Sequence, residues 1–324
     1  MKAFVVDADD TDRFRAVELD DPIASGRDLL VEVRAVGINP IDRKVRKSRP
    51  GQVLGWDAAG VVRAVGPGVK FYRPGDEVYY AGDLTRAGSN AALQLVDERI
   101  VGRKPKSLSF VEAAAIPLTA LTAWEALFEQ LEVRRGTALL MINGAGGVGS
   151  IAIQLARLRA DMTVIATASR TDSVEWVRAM GAQHVVDHRK DLVEQVRALG
   201  FERVPSIFCA HDTAGHFDAM AELVAPSGRI CSIVGVEGPL AVGKLFGKRA
   251  ALVWELMFTK SMFGTDDMGS QREILDQVAD LIDGGSLRCT LNDDGGVLDA
   301  EKLAEAHAAS ARESMTGKLA FAMG

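Results

Sequence analysis

One stretch constrains the fold more than any other. Ala138–Ile142, "ALLMI", is a short and wholly apolar run. It is followed by Gly144, Gly146 and Gly149 in G-x-G-x-x-G spacing, and then by the apolar-faced helical pattern Val148–Arg159. A strand with no polar member suits burial on both faces, as in a parallel sheet. The glycine pattern alone is a weak signal. A buried strand before it and a helix after it make it a phosphate-binding turn. Gly144 is expected to permit the tight turn, Gly146 to let backbone approach a pyrophosphate, and Gly149 to let the helix pack near the strand. The N–H groups of Gly147, Val148 and Gly149, at the positive end of the helix, would then hold the anion.

The alternation continues downstream. Strand patterns at 162–167, 184–187, 206–210 and 229–234 are separated by helical patterns at 173–180, 192–199 and 217–224. Strands alternating with helices predict an α/β fold with a doubly wound parallel sheet. The first hundred residues differ. "LLVEVRAVGI" (29–38) places Val31, Val33 and Ala35 on one face and Glu32 and Arg34 on the other, a period of two. Gly-Pro-Gly and Pro-Gly turns punctuate residues 66–75, which suggests a small barrel. Residues 110–131 read as helix, broken at Pro117. Helices at 271–283 and 300–309 and a strand at 317–323 close the chain. At 324 residues, two domains are expected.

Composition narrows the function classes. The formal net charge is −6, with 38 basic against 44 acidic residues, which argues against a nucleic-acid partner. The tract Arg43, Lys44, Arg46, Lys47 and Arg49 reads as a solvated loop. Three cysteines, Cys209, Cys231 and Cys289, give neither a disulfide framework nor CxxC spacing. No apolar run approaches the ~20 residues that span a bilayer, and the N-terminus does not read as a signal peptide. A cytoplasmic enzyme is the expectation.

The end of the second strand speaks to the cofactor. An NAD site carries an acid about 20 residues past the glycines for the ribose 2′-OH. Here "ATASRTD" places Ser169 and Arg170 in that region, a pair suited to the 2′-phosphate of NADPH.

"GINPIDRK", "GWDAAGVVRAVGPGV", "RPGDEVY", "AAAIPLTALTAWEAL" and "NGAGGVGSIAIQLA" together resemble the medium-chain dehydrogenase/reductase superfamily. Within it they resemble the quinone oxidoreductase-like branch and bacterial proteins often labelled zinc-type alcohol dehydrogenase-like. The resemblance covers nearly the whole chain. It implies a GroES-like β-barrel catalytic domain over 1–120, a Rossmann NADP-binding domain over 121–267, and a return segment, 268–324, that completes the first domain. It implies a homodimer through the edge of the Rossmann sheet. It places Asn39 and Thr122 at the nicotinamide and substrate, and His188 near the 2′-phosphate. Val234 and Gly235 would stand where backbone meets the nicotinamide amide, and Lys318 close to the cofactor.

The zinc in the label meets a chemical objection. Where zinc-dependent relatives place a ligand cysteine, this chain has Asn39; where they place a histidine, it has Trp56. No Cys or His precedes His184, so the structural four-cysteine lobe is also missing. Asn and Trp are not the thiolate, imidazole or carboxylate ligands of catalytic zinc. The expectation is an NADPH-dependent, zinc-free reductase of a small electrophilic substrate, a quinone or α,β-unsaturated carbonyl. A zinc alcohol dehydrogenase and a non-catalytic NADPH sensor or RNA-binding protein are the alternatives.

Overall fold

Alternating strands and turn residues in the first hundred positions build sheet structure. β1 (Lys2–Val6) pairs antiparallel with β2 (Phe14–Glu18). β3 (Asp28–Gly37) buries Val31, Val33 and Ala35 on one face, following its period of two. The computed structural model describes residues 1–310 and 315–324. These form two units, Met1–Leu121 with Phe258–Gly324, and Thr122–Met257.

After β3 the structure corrects the sequence reading. The basic tract is not a solvated loop. It begins in α1 (Pro40–Arg46), for which Asn39 is the N-cap. Asn at the cap, Pro at the first helical position and an acid at the third are the ordinary start signals of a helix. Arg46 is buried and paired with Asp12. The Arg49 guanidinium lies 5.4 Å over the Trp56 ring. Lys44 and Lys47 face solvent.

The first unit continues with β4 (Asp57–Val65), β5 (Glu77–Tyr80), β6 (Leu93–Asp97), β7 (Val101–Arg103) and α2 (Phe110–Ala114). Then comes α3 (Pro117–Trp124), with the helical pattern broken at Pro117 as expected. Its last residues enter the second unit, where a π-helical turn, Glu125–Gln130, follows.

The second unit is the α/β alternation. β8 (Ala138–Ile142), α4 (Gly147–Ala160), β9 (Thr163–Thr167), α5 (Thr171–Ala179), β10 (His184–Val186), α6 (Leu192–Ala198), β11 (Val204–Cys209), α7 (Thr213–Leu223), β12 (Val224–Ser232) and β13 (Ala251–Trp254) follow in order. The six strands are arranged β10-β9-β8-β11-β12-β13, and every pairing is parallel. Leu140, Ile165, Ile207 and Ile230 come from four adjacent strands and are all fully buried. Each such side chain contributes about 1.5–3 kcal/mol of transfer free energy. This is the doubly wound strand order of dinucleotide-binding sheets, with its switch point between β8 and β11.

The chain then returns to the first unit through α8 (Phe258–Phe263), α9 (Ser270–Asp283), β14 (Leu291–Val297), α10 (Ala300–Ser310) and β15 (Lys318–Ala322). β15 pairs with β3, Ala320 opposite Gly37 and Phe321 opposite Val36. The sheet order is β14-β15-β3-β4-β5-β7, with β6 also on β3. This register delivers the last strand to the segment that ends at Asn39. No described helix is long and apolar enough to cross a membrane.

Candidate functional site

In the second unit, chemistry-bearing residues collect at the carboxyl ends of the strands. The glycine turn comes first. The positive φ that the tight turn needs is carried by Asn143, at +65°, and not by Gly144. Gly144 is required for another reason: a Cβ there would lie 2.9 Å from the Ala166 methyl and 3.2 Å from Val177. Gly149 has the role expected of it. A Cβ on it would come within 2.4 Å of the Asn143 carbonyl oxygen, so only glycine lets α4 start this close to β8. The turn is tied to β9, because the Asn143 N–H donates to Thr167 Oγ1 at 2.9 Å and the Gly144 N–H to the Thr167 carbonyl at 3.2 Å.

Gly146 caps α4 without a side chain, and no acid stands in the first turn. The first N–H groups of a helix lack intrahelical acceptors. Here Gly147 and Val148 are half-buried and Gly149 is buried. Among the described residues no side chain caps this end, so it can receive an external anion.

Ser169 and Arg170 follow β9. Arg170 is half-exposed, and its Nε lies 3.2 Å from the Asp172 carboxylate. From the end of β10, Arg189 donates to the Ser169 carbonyl at 2.6 Å and forks onto Asp187. That pairing holds the Asp187 carboxyl low, at about 2. The sequence reading did not single out Arg189. The signal was present in "DHRK", a cation just past the strand adjacent to β9. His188 is half-buried, its Nδ1 has no partner among the described residues, and its ring stands edge-on to His216 at 6.3 Å. Burial lowers its pKa, opposed by Asp187 and reinforced by Arg189, His211 and Arg170.

Thr213 is a second residue that local pattern did not reveal. It is buried, contacts Ser232 Oγ, and donates to the Val234 carbonyl at 2.6 Å. It pins the loop that carries Val234 and Gly235. Thr122 lies buried in α3, at the start of this unit.

The first unit holds a separate buried polar cluster. Asn39, Asp42, Asp57 and Lys318 are all at least nine-tenths buried. Asn39 Nδ2 donates to Asp57 Oδ2 at 2.8 Å. The Asp57 Oδ1 accepts the Leu118 N–H at 2.8 Å and so caps the start of α3. Asp42 reaches back to accept the Asn39 N–H at 2.7 Å. Lys318 Nζ donates to the Ile38 carbonyl, Asn39 Oδ1 and Asp57 Oδ2 at 2.7, 2.6 and 3.0 Å. Burial raises both carboxyls, Asp42 to about 7, with the Asn39 N–H and the Lys318 charge pulling the other way. All three N–H groups of the ammonium are thus engaged inside this cluster. Asn39 likewise points its oxygen at Lys318. Trp56 is fully buried, with Nε1 bonded to the Asp83 carbonyl.

This donor set does not suit zinc. Among the described residues no three His, Cys, Asp or Glu side chains converge as a metal site requires. The oxygens nearest Asn39 already surround a positive charge.

Comparison with known proteins agrees with this architecture. The family described as "Alcohol dehydrogenase GroES-like domain" matches residues 25–118, and "Zinc-binding dehydrogenase" matches 147–283. A zinc-type alcohol dehydrogenase-like protein of Staphylococcus aureus is 39% identical over 315 residues, covering 94% of each chain. An NADPH-dependent alkenal/one oxidoreductase of Arabidopsis thaliana is 33% identical, over 65% of this chain and 56% of its own length. A solved structure from Rhizobium etli, assigned provisionally as a zinc-dependent alcohol dehydrogenase, superimposes with a TM-score of 0.95 at 46% identity, covering 100% of this chain and 98% of the other. The Escherichia coli quinone oxidoreductase complexed with NADPH shares the fold, with a TM-score of 0.85 at 23% identity over 99% of both chains. The chain belongs to the medium-chain dehydrogenase/reductase superfamily.

Proposed function

We propose that this protein is an NADPH-dependent reductase that transfers hydride to a quinone or an α,β-unsaturated carbonyl compound, and that it uses no zinc. The observation that carries the reading lies at the ends of β9 and β10. Ser169 and Arg170 stand where an acid would hold the ribose of NADH, and Arg189 reaches the same Ser169 from the adjacent strand. Guanidinium groups suit a phosphate dianion. The present partner of Arg170, Asp172, forms an exposed pair of little energetic consequence, so exchange for a phosphate is cheap there, while Arg189 stays forked onto the largely covered Asp187. The alkenal/one oxidoreductase relative and the quinone oxidoreductase with the same fold support the substrate class.

Bound NADPH would supply the hydride. The residues of this chain bind and orient it. The α4 N-terminus receives the pyrophosphate, Ser169 and Arg170 the 2′-phosphate with His188 beside them, and the Val234–Gly235 backbone the nicotinamide amide. Thr122 has the proposed substrate-facing place. Without a Lewis acid, alcohol oxidation at neutral pH is unfavourable, whereas an already electrophilic acceptor needs none. Protonation of the product falls to water. Tyr72 and Tyr79 hydroxyls are committed to the Val101 and Leu275 carbonyls, and Tyr80 is fully buried.

We further propose a homodimer in the cytoplasm, paired through β13. That strand is the sheet edge, and Trp254, Val242 and Phe246 expose apolar surface beside it. The functional reading is tested by a panel of quinones, enones and primary alcohols with NADPH or NADP. Turnover of quinones or enones alone is expected. Alcohol oxidation that depends on added zinc would establish the zinc-dehydrogenase alternative, and no turnover of any acceptor would favour a sensor.

A further inference from the structure

We infer that Lys318 is the resident cation of the Asn39–Asp57 cluster, an internal ammonium that fills the place a metal would need and fixes the starts of α1 and α3. The inference deepens the zinc-free reading, but it rests on geometry in the first unit alone. Lys318 opens β15, and the β15–β3 register carries its side chain to the end of β3. There Nζ meets three oxygens of three kinds: a main-chain carbonyl, an amide and a carboxylate. An ammonium has three donors, and this cradle uses all of them. Each oxygen belongs to a different structural task. Ile38 carries the backbone into α1, Asn39 stands at the N-cap position of α1 with its amide bridging Lys318 to Asp57, and Asp57 holds the Leu118 N–H at the head of α3. One point charge therefore sets two helix starts, at Pro40 and Pro117, that are far apart in sequence.

The cradle is also chemically selective. It offers oxygen only, with no thiolate or imidazole, so it does not favour zinc. A small ammonium ion is the ligand class it takes. A divalent ion could enter only by separating the Lys318 ammonium from its three oxygens, and a buried charged amine without partners is strongly unfavourable.

Truncation makes this testable. Lys318→Ala removes the three methylenes and nitrogen that propylammonium would restore. The melting temperature should fall by roughly 10 °C, because Asp57 keeps a buried charge without its partner. Propylammonium at tens of millimolar should recover at least half of the loss, whereas propan-1-ol and sodium chloride at equal concentration should not. A second comparison decides the matter should Lys318→Ala fail to fold. The double variant Asp57→Asn/Lys318→Met should melt higher than Lys318→Met alone, since it removes the Asp57 charge that the single variant leaves unpaired. An unchanged melting temperature, equal recovery by propanol, or a double variant no better than the single one would overturn the inference. Zinc content of the wild type tests the functional reading separately. Propylammonium rescue of the variant, found together with stoichiometric zinc in the wild type, would support the lysine assignment and contradict the zinc-free reading.

Discussion

A guanidinium offers a phosphate two parallel N–H donors, which the bare ribose hydroxyl of NADH cannot use in the same way. Arg170 is only half-buried, and its pairing with Asp172 lies at the surface, where a ligand can reach it. Arg170→Ala should weaken NADPH about 10–100-fold, as loss of a charged hydrogen-bonding partner does, and leave NADH within about twofold. Titration of both cofactors by fluorescence checks this, and equal weakening would remove the 2′-phosphate role. Asn39 has a different environment. Its amide joins Lys318 to Asp57 in a site that is 1% exposed. Asn39→Ala should therefore cost about 2–4 kcal/mol of stability in a urea titration. A variant of undiminished stability with low turnover would return Asn39 to direct contact with substrate.

Among elements, the β8–α4 junction is the most demanding. Gly149→Ala drives a methyl into the Asn143 carbonyl and should destabilise the protein by about 1–3 kcal/mol while weakening cofactor binding. Gly235→Ala meets nothing within 4 Å and should leave the melting temperature unchanged. Comparing the two melting curves separates packing from mere glycine content. The same junction shows how much was legible in the sequence. β8 was readable to the residue because it is short, apolar and bounded by glycines. The parallel sheet followed from alternation. α1 was missed because its seven residues are mostly charged, and its start signal, Asn-Pro-x-Asp, also reads as a turn. The Asp57–Lys318 pair spans 261 positions, a separation at which local pattern carries no information. Thr213 was likewise fixed by a neighbouring strand and not by its own segment.

For the molecule as a whole, titration and assembly are the informative properties. His307 in α10 is fully buried against Phe14, and neither ring nitrogen has a hydrogen-bond partner among the described residues. Burial and the nearby Arg46 and Arg43 charges push its pKa down to about 3. The folded state thus refuses a proton that the unfolded chain accepts near 6.5. Its contribution is fully present above that pH and is lost as pH falls towards 3, by at most roughly 1.4 kcal/mol per pH unit. His307→Leu should flatten this part of the stability profile between about pH 6.5 and 4. An identical slope in both proteins would show that His307 does not titrate on unfolding. Assembly is checked by light scattering. The wild type should have twice the mass of the 34.7 kDa chain, and Trp254→Asp on the β13 edge should yield a monomer. A dimer that survives the substitution would move the interface elsewhere.

Cofactor choice and the absence of a metal are reached together by one measurement. It is the ratio of kcat/KM for NADPH over NADH with a quinone acceptor, before and after exhaustive dialysis against a chelator. We expect NADPH to be preferred at least about tenfold, from the phosphate contacts alone, with no change on chelation. Parity between the cofactors, or activity lost on chelation and regained with zinc, would contradict the account.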